Sequence, residues 1–452
     1  MKIALYVHCF FPNYYHGTET YTLSLAKNLL IMGHEPVVVS SVPQGENRTE
    51  SLITNYDYQG IPVICIDKNY IPSRSILDTY YSPSMYQIHN ELLQKIHPDI
   101  VHVTHLGNHT AALLDAAAEL SIPIVATFTD FFGFCYNSKL EAANGSLCTG
   151  PNSKRTNCFT CFIKSGVSRK KIPLGEKIFK KGAQLIQWGS VLFSGIYKMP
   201  GLKHSLLSAQ YHDIKARPKL LAERYGLYSA VIAPTQFLQL AYEMNGLTEA
   251  PFHKINFGVD IDRKPKLLPP STEPMRFGFI GQIAPHKGTS LLVEAFCRLP
   301  KGKSELYIYG ADDQFPAYTQ AIKARCANFQ IFFRGTFQPE QMRQILDGID
   351  FLVIPSTWYE NSPLVLLDAL ASHTPVIVSD VEGLTEFLQQ GKNGYAFVRG
   401  SVDGLEQVLR QIQENPESSR QLSLTTSFSK TTLDMTEEVE KIYDSIAATK
   451  MI

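Results

Sequence analysis

The chain has 452 residues, 44% of them hydrophobic and 19% charged, with 42 basic side chains balanced by 42 acidic ones. That is an ordinary globular profile of two to three domains, and the lack of a basic surplus argues against nucleic acid as the main partner. No run of about 18 apolar residues occurs, so no transmembrane helix is expected. The opening MKIALYVHCFFP is interrupted too early for a secretory signal and reads as a first strand. Eight cysteines in a chain of this length do not suggest a secreted disulfide scaffold.

Residues 2–7 read as an apolar strand, followed by an aromatic and polar loop over 8–17. Helical spacing of Tyr21, Leu25 and Leu29 predicts a helix over 19–32 that stops at Gly33, and 36–40 reads as the next strand. Strand, loop, helix and strand in that order make a βαβ unit, hence a parallel sheet. Strands at 61–66, 99–103 and 123–127, with helices near 85–96 and 110–120, extend it. From Phe131 to about Arg224 the rhythm breaks, with a cysteine cluster, a basic stretch and then an uncharged apolar stretch. A strand at 228–233 and a helix near 237–245 restore it, and 264–274 (KPKLLPPSTEP) reads as a linker. A second series has strands at 276–280, 305–309, 331–334, 351–354, 375–378 and 395–398. Its helices fall at 289–299, 316–326, 339–346, 363–372, 384–390 and 402–414. The last segment, 426–447, is largely helical and is expected to pack back on the first domain. The fold class is α/β: two doubly wound, Rossmann-like domains facing a cleft, with ligand at the carboxyl ends of the strands.

One stretch organises the second half: residues 355–371, PSTWYENSPLVLLDALA, leave a buried strand. Ser362 reads as an N-cap and Pro363 as a first helical residue, which offers a helix N-terminus to an anion, with Glu360 and Asp368 to either side. Taken alone, this reads equally well as one more strand–loop–helix unit of an α/β sheet.

Four motifs in order shift that balance. Glu360 to Asp368 follows a pattern of Glu, seven residues, Glu, with Asp in second place. Gly281–Gly288, GQIAPHKG, resembles a Gly-Arg-x-x-x-x-Lys-Gly loop with Gln282 where Arg is usual. Gly17-Thr18-Glu19 is similar to a Gly-Gly-x-Glu loop, and Phe257-Gly258-Val259-Asp260 to an Asn-Gly-Val-Asp signature. Together they resemble the family 4 glycosyltransferases, which have the GT-B fold. The resemblance implies a retaining transfer from a UDP- or GDP-linked sugar to a glycan or lipid-linked acceptor, in polysaccharide or glycoconjugate biosynthesis. It implies no metal on the diphosphate and no cofactor for transfer.

The domains it implies are an acceptor-side domain over 1–265 with a cysteine-containing insertion at 131–225, a donor domain over 266–425, and a C-terminal helix over 426–452. The implied catalytic residues are Glu360 and Lys287. Donor binding falls to Gly17, Gln282, Lys287, Glu360, Ser362, Leu364 and Asp368, and the acceptor side to His105 and Asp130. His102 and His105 both lie at a strand end, where a histidine is more often packed or solvated than catalytic. Thr129 stands where many relatives have His. The alternative is a catalytically weakened relative that binds a nucleotide sugar, favoured by Gln282, Thr129 and Asp368; an epimerase or a phosphorylase of the same fold is a third reading.

Cys135, Cys148, Cys158 and Cys161 are separated by 12, 9 and 2 residues. The final Cys-x-x-Cys suits a metal knuckle, and structural zinc is the favoured reading. An iron–sulfur cluster, redox thiols or plain reduced cysteines are the others. Lys164, Arg169, Lys170, Lys171, Lys177, Lys180 and Lys181 face the single acid Glu176, and the uncharged stretch 182–197 follows with Trp188, Phe193 and Ile196. This reads equally as a segment on an anionic membrane surface or as a solvated basic turn with a helix packed on the first domain. The expected location is cytoplasmic, at the membrane's inner face if the first of these holds.

Overall fold

The computed structural model describes residues 1–169, 173–246, 250–267 and 274–450, and the side chains of these except 167–169, 173–181, 183 and 450. The chain divides into two compact units, Met1–Asn256 with Leu433–Ile452, and Phe257–Thr432.

The first unit holds an eight-stranded sheet of β1 (Lys2–Tyr6), β2 (Glu35–Val42), β3 (Ile53–Tyr58), β4 (Ile61–Asp67), β5 (Ile100–Val103), β6 (Ile124–Thr127), β7 (Ala230–Ala233) and β8 (Phe252–Lys254). Its spatial order is β3-β4-β2-β1-β5-β6-β7-β8, parallel throughout except for β3. The second unit holds a parallel six-stranded sheet of β9 (Met275–Ile280), β10 (Ser304–Tyr309), β11 (Ile331–Gly335), β12 (Phe351–Ile354), β13 (Val376–Ser379) and β14 (Gly394–Phe397), in the order β11-β10-β9-β12-β13-β14. The central strands β5, β6, β7, β12 and β13 are buried at every residue. Helices cover both faces of such sheets, which is why these strands read as unbroken apolar runs.

Strand β3 departs from the expectation of no element there. It pairs antiparallel with β4 through Gln59 and Gly60, both at positive φ (56° and 83°), a two-residue turn matched to the strand twist. Its Asn55 and Asp57, poor strand formers, mask the pattern in the sequence. The helix expected over 384–390 is a single 3₁₀ turn, Thr385–Phe387. There Leu388 turns extended, and the Asn393 side chain accepts from the Gln389 N–H at 2.7 Å and donates to the Phe387 carbonyl at 2.9 Å.

The irregular region after Phe131 is mostly helical: Thr156–Arg169, Pro173–Ile196 and Leu206–Tyr225. It has a core of its own, built from Cys158, Phe159, Tyr197, Tyr211 and Ile214. The Phe159 and Phe193 rings stack there at 5.5 Å.

The final helix, Thr432–Lys450, packs within the first unit. Met435, Val439 and Tyr443 are buried, Glu440 lies 2.7 Å from His34 Nε2, and the Tyr443 hydroxyl meets His102 Nδ1. Tyr443 thus carries both core volume and a buried hydrogen bond. Replacing it with Ala is expected to cost about 3–5 kcal/mol. Hydrogen exchange will read this as faster amide exchange in β1, β5 and β6, with the second unit unchanged.

Candidate functional site

In the second sheet, β9 and β12 are neighbours, and the strands that continue from each lie on opposite sides of the pair. At such a crossover the loops leaving the two strands part and open a crevice. The loop after β9 carries Lys287, and the loop after β12 carries Glu360. Lys287 Nζ lies 2.7 Å from Glu360 Oε1. The same oxygen accepts from Ser356 Oγ at 2.5 Å and from the Trp358 indole N–H at 3.0 Å. Lys287 Nζ also stands 5.2 Å from the Trp358 ring centroid, and His286 lies against that ring at 4.1 Å. Glu360 is only 6% exposed. Burial alone would raise its pKa, but the Lys287 charge and the three hydrogen bonds hold it below the ordinary carboxylate value. At neutral pH it is a charged group that only accepts hydrogen bonds.

Backbone contacts fix the two loops together. The Thr357 N–H donates to the His286 carbonyl at 2.8 Å. Gly288, at φ 72°, passes so close to the Pro355 carbonyl that a Cβ would collide with it, and Gly383, at φ 83°, does the same against the Glu360 carbonyl. Only glycine meets both demands, positive φ and no side chain.

The start of the next helix differs from expectation. It runs Leu364–Ala371 with Pro363 as its cap, and no side chain caps it. Ser362 is neither N-cap nor capping group: it sits at φ 66°, and its buried hydroxyl has no partner among the described residues. Proline's extended ψ of 123° postpones the first helical turn by one residue. Leu364 opens the helix, partly exposed, and Gln282 is partly exposed with an amide that bonds to no other described residue. Asp368 lies a turn further on, near Asp260 and Arg263, and shares no hydrogen bond with the Lys287–Glu360 cluster. Burial first, and then the Asp260 charge, push its pKa up to about 7, with Arg263 opposing. Asp260 itself accepts from the Thr432 N–H at 3.1 Å.

The first unit has a crossover of the same kind between β1 and β5. His105, after β5, places Nε2 at 2.9 Å from Asp130 Oδ2, and the Gly107 N–H donates to its Nδ1 at 2.8 Å. The neutral ring therefore carries its proton on Nε2, toward Asp130. Burial would lower the His105 pKa, but the Asp130 charge and hydrogen bond outweigh it and raise it. His8, after β1, lies 4.2 Å from the His105 ring, and its Nε2 is 3.2 Å from the buried Glu19 Oε1. Burial and the neighbouring imidazoles push His8 well down, while burial pushes Glu19 up. Glu19, His8, His105 and Asp130 thus form a row of ionisable groups. His105 and Asp130 are the two expected from the sequence; His8 is not, and its signal is its place directly after a strand at the crossover.

Gly17 opens the helix Gly17–Ile31 with nothing within 4 Å of where a Cβ would stand. His102 is a core residue, 2.8 Å from Thr127 Oγ1, with its pKa lowered by burial to about 3. Thr129 donates to the Thr104 carbonyl at 3.2 Å.

Cys135, Cys148, Cys158 and Cys161 are unpaired thiols, the last two a turn apart on the helix Thr156–Arg169. Cys135 donates to Asn137 Oδ1 at 2.9 Å, Cys148 to the Gly150 carbonyl at 3.4 Å and Cys161 to the Glu141 carbonyl at 3.8 Å. Burial, then the neighbouring thiols, push Cys161 up to about 12. Among the described residues, no three His, Cys, Asp or Glu side chains stand where they could hold a metal ion, and the expectation of zinc gains no geometric support. Lys164 reaches Glu141 at 3.9 Å. The side chains of Arg169, Lys170, Lys171, Lys177, Lys180 and Lys181 lie outside the described residues.

Two family models match the chain. One, described as glycosyl transferases group 1, covers residues 260–426, and one described as glycosyltransferase family 4 covers 15–143. Over 117 residues the chain is 30% identical to an uncharacterised glycosyltransferase of Methanocaldococcus jannaschii, which covers 26% of this chain and 30% of that one. Over 225 residues it is 24% identical to the poly(ribitol-phosphate) alpha-N-acetylglucosaminyltransferase of Staphylococcus aureus, covering 47% and 44%. The matches span less than half the length of these relatives. Anabaena HepE, solved in complex with UDP and glucose, shares the fold at a TM-score of 0.62 and 15% identity, over 100% of this chain and 99% of that one.

The raised pKa of Asp368 has a stability consequence with a definite sign. Between its ordinary 3.8 and about 7, the folded state binds a proton that the unfolded chain has released. Stability therefore falls as pH rises through that window. Asp368→Asn removes the effect. The variant is expected to gain on the order of 1–2 kcal/mol over the parent at pH 8 and close to nothing at pH 4, read from urea midpoints.

Proposed function

The chain belongs to the family 4 glycosyltransferases of GT-B fold, and from that premise we propose that it moves a sugar, with retention of configuration, from a nucleotide-sugar donor to a glycan or lipid-linked acceptor. The observation that carries this reading is the pairing of the half-buried Lys287 with the buried Glu360 at the crossover of β9 and β12. As the glycosidic bond breaks, negative charge builds on the diphosphate and positive charge on the sugar ring. Lys287 is the point cation for the first, helped by the N–H groups that open the helix Leu364–Ala371, the Ser362 hydroxyl and the neutral Gln282 amide. Glu360 answers the second. Its Oε1 is held by Lys287, Ser356 and Trp358, and its Oε2 takes no hydrogen bond from a described residue, so Oε2 accepts from sugar hydroxyls.

Asp368 serves the ribose. With its pKa near 7 it both accepts and donates to hydroxyls around neutrality. Gly17, free of a side chain, admits phosphate to the start of its helix. The first unit takes the acceptor, with Asp130 toward the reacting hydroxyl and His105 holding it. The names of the relatives support a UDP-linked donor and a place in polysaccharide or glycoconjugate synthesis.

A thermal-shift screen over UDP- and GDP-sugars tests the donor. One of them is expected to raise the melting temperature by mass action, and Lys287→Ala to abolish the shift. Lys287→Ala and Glu360→Ala are each expected to lower turnover at least about tenfold, roughly 1.4 kcal/mol of barrier. Near-native rates in both variants overturn the assignment. A donor-induced shift without turnover in the parent chain points instead to a nucleotide-sugar-binding relative, the reading that the uncharged Gln282 favours.

A further inference from the structure

The helix Pro173–Ile196 presents an apolar face to solvent. Leu185, Trp188, Leu192 and Ile196 recur every three or four residues, so they form one stripe, and they are 76%, 69%, 70% and 44% exposed. Met199 and Leu206 carry the stripe around the turn into the helix Leu206–Tyr225, at 55% and 75% exposure. The helix cannot roll to hide this face. Its other side is already engaged: Ser190 bonds Thr160 at 3.0 Å, Phe193 stacks on Phe159, and Tyr197 packs edge-on against Tyr211 at 4.8 Å. Scattered apolar residues on a surface need no explanation, but a continuous stripe including a tryptophan does.

The charge around the stripe is one-sided. Between residues 142 and 212 the sequence has eleven Lys and Arg against a single acid, Glu176, in a chain that is balanced overall. From 177 to 212 there is no acid at all, and Lys198 and Lys203 are exposed at the turn beside Met199. Among the described residues no helix is long and apolar enough to cross a membrane, so the stripe cannot belong to a span.

We propose that this helical pair seats the protein on an anionic lipid bilayer, with the Leu185–Trp188–Leu192 stripe in the headgroup boundary and the lysines on lipid phosphates. A nucleic acid or acidic polymer would answer the lysines and leave the stripe in water. A second copy of the chain would set basic surroundings against basic surroundings. An anionic bilayer satisfies both features at once. The inference does not depend on the donor-site assignment.

Co-sedimentation of the full chain with phosphatidylcholine vesicles, with and without phosphatidylglycerol, tests it. Binding is expected to be at least about tenfold stronger on the anionic vesicles and to weaken with salt. The triple variant Leu185→Ser, Trp188→Ser, Leu192→Ser changes only exposed positions. It should keep its circular dichroism and melting temperature and lose binding at least about tenfold. Lys198→Glu with Lys203→Glu should weaken binding and flatten its salt dependence. The proposal is overturned if the parent chain ignores anionic vesicles or if the triple variant binds as the parent does. It is equally overturned if sedimentation velocity shows a dimer that the triple variant dissolves.

Discussion

A carboxylate taken out of water beside an ammonium group is stable only if both charges are fully answered, and that requirement shapes the centre of the second unit. Desolvation of Glu360 works against its charged form, and a lone opposing cation at the protein surface would not compensate for it. The hydroxyl of Ser356 and the indole N–H of Trp358 bond the same oxygen that Lys287 holds. Two glycines let the surrounding backbone close in where any Cβ would collide. The strand ladder between β9 and β12 then sets the two loops at the distance the pair needs. Removing Lys287 leaves the Glu360 carboxylate buried without its cation, and removing Glu360 takes the counter-charge from a half-buried ammonium group, so the pair behaves as a unit and not as two independent contributions.

The same architectural rule operates in the first unit with different chemistry. Loops after β1, β5 and β6 converge at a crossover, and there the chain places two imidazoles between two carboxylates. No fixed cation lies in that row. Charges are set by burial and by mutual influence, which push His8 down and hold His105 up. One unit thus holds a lysine–glutamate charge pair and the other a row of imidazoles and carboxylates. That division fits the donor and acceptor roles proposed for the two units.

The parallel strands were legible because burial on both faces writes them as unbroken apolar runs, and the twelve expected strands, all of the fourteen but β3 and the three-residue β8, fall within a few residues of their observed ends. What escaped was governed by local chemistry that periodicity does not report. Strand β3 is half polar and is held by a two-residue turn. The helices after Thr156 sit in a segment where the alternation of strand and helix breaks off, yet Phe159, Tyr197 and Tyr211 bury one another there. Lys287 and Glu360 were singled out by their resemblance to family motifs, and their contact was not legible, because it depends on two loops far apart in sequence. Ser362 shows the limit of capping rules. The residue type suits an N-cap, but the proline after it adopts an extended ψ and moves the helix start past it.

Glu360 and Asp368 stand eight positions apart and their pKa values shift in opposite directions, an asymmetry that fits the division of labour proposed for them. Glu360 has a cation and three donors on one oxygen and stays charged below the ordinary carboxylate range. Asp368 has burial and a second carboxylate, Asp260, with only Arg263 in opposition, and that guanidinium is largely spent on the carbonyls of Val259, Ile261, Phe428 and Lys430. A group that must steady developing positive charge has to be an anion throughout, whereas a group that holds a ribose works as well with a proton to donate. Two acids of nearly equal intrinsic strength are thereby set apart by their surroundings alone, in the sense that the tasks proposed for them require. The shorter Asp in second place, a departure from the family pattern of two Glu, keeps its carboxyl close to its own helix and beside Asp260, where the raised pKa arises.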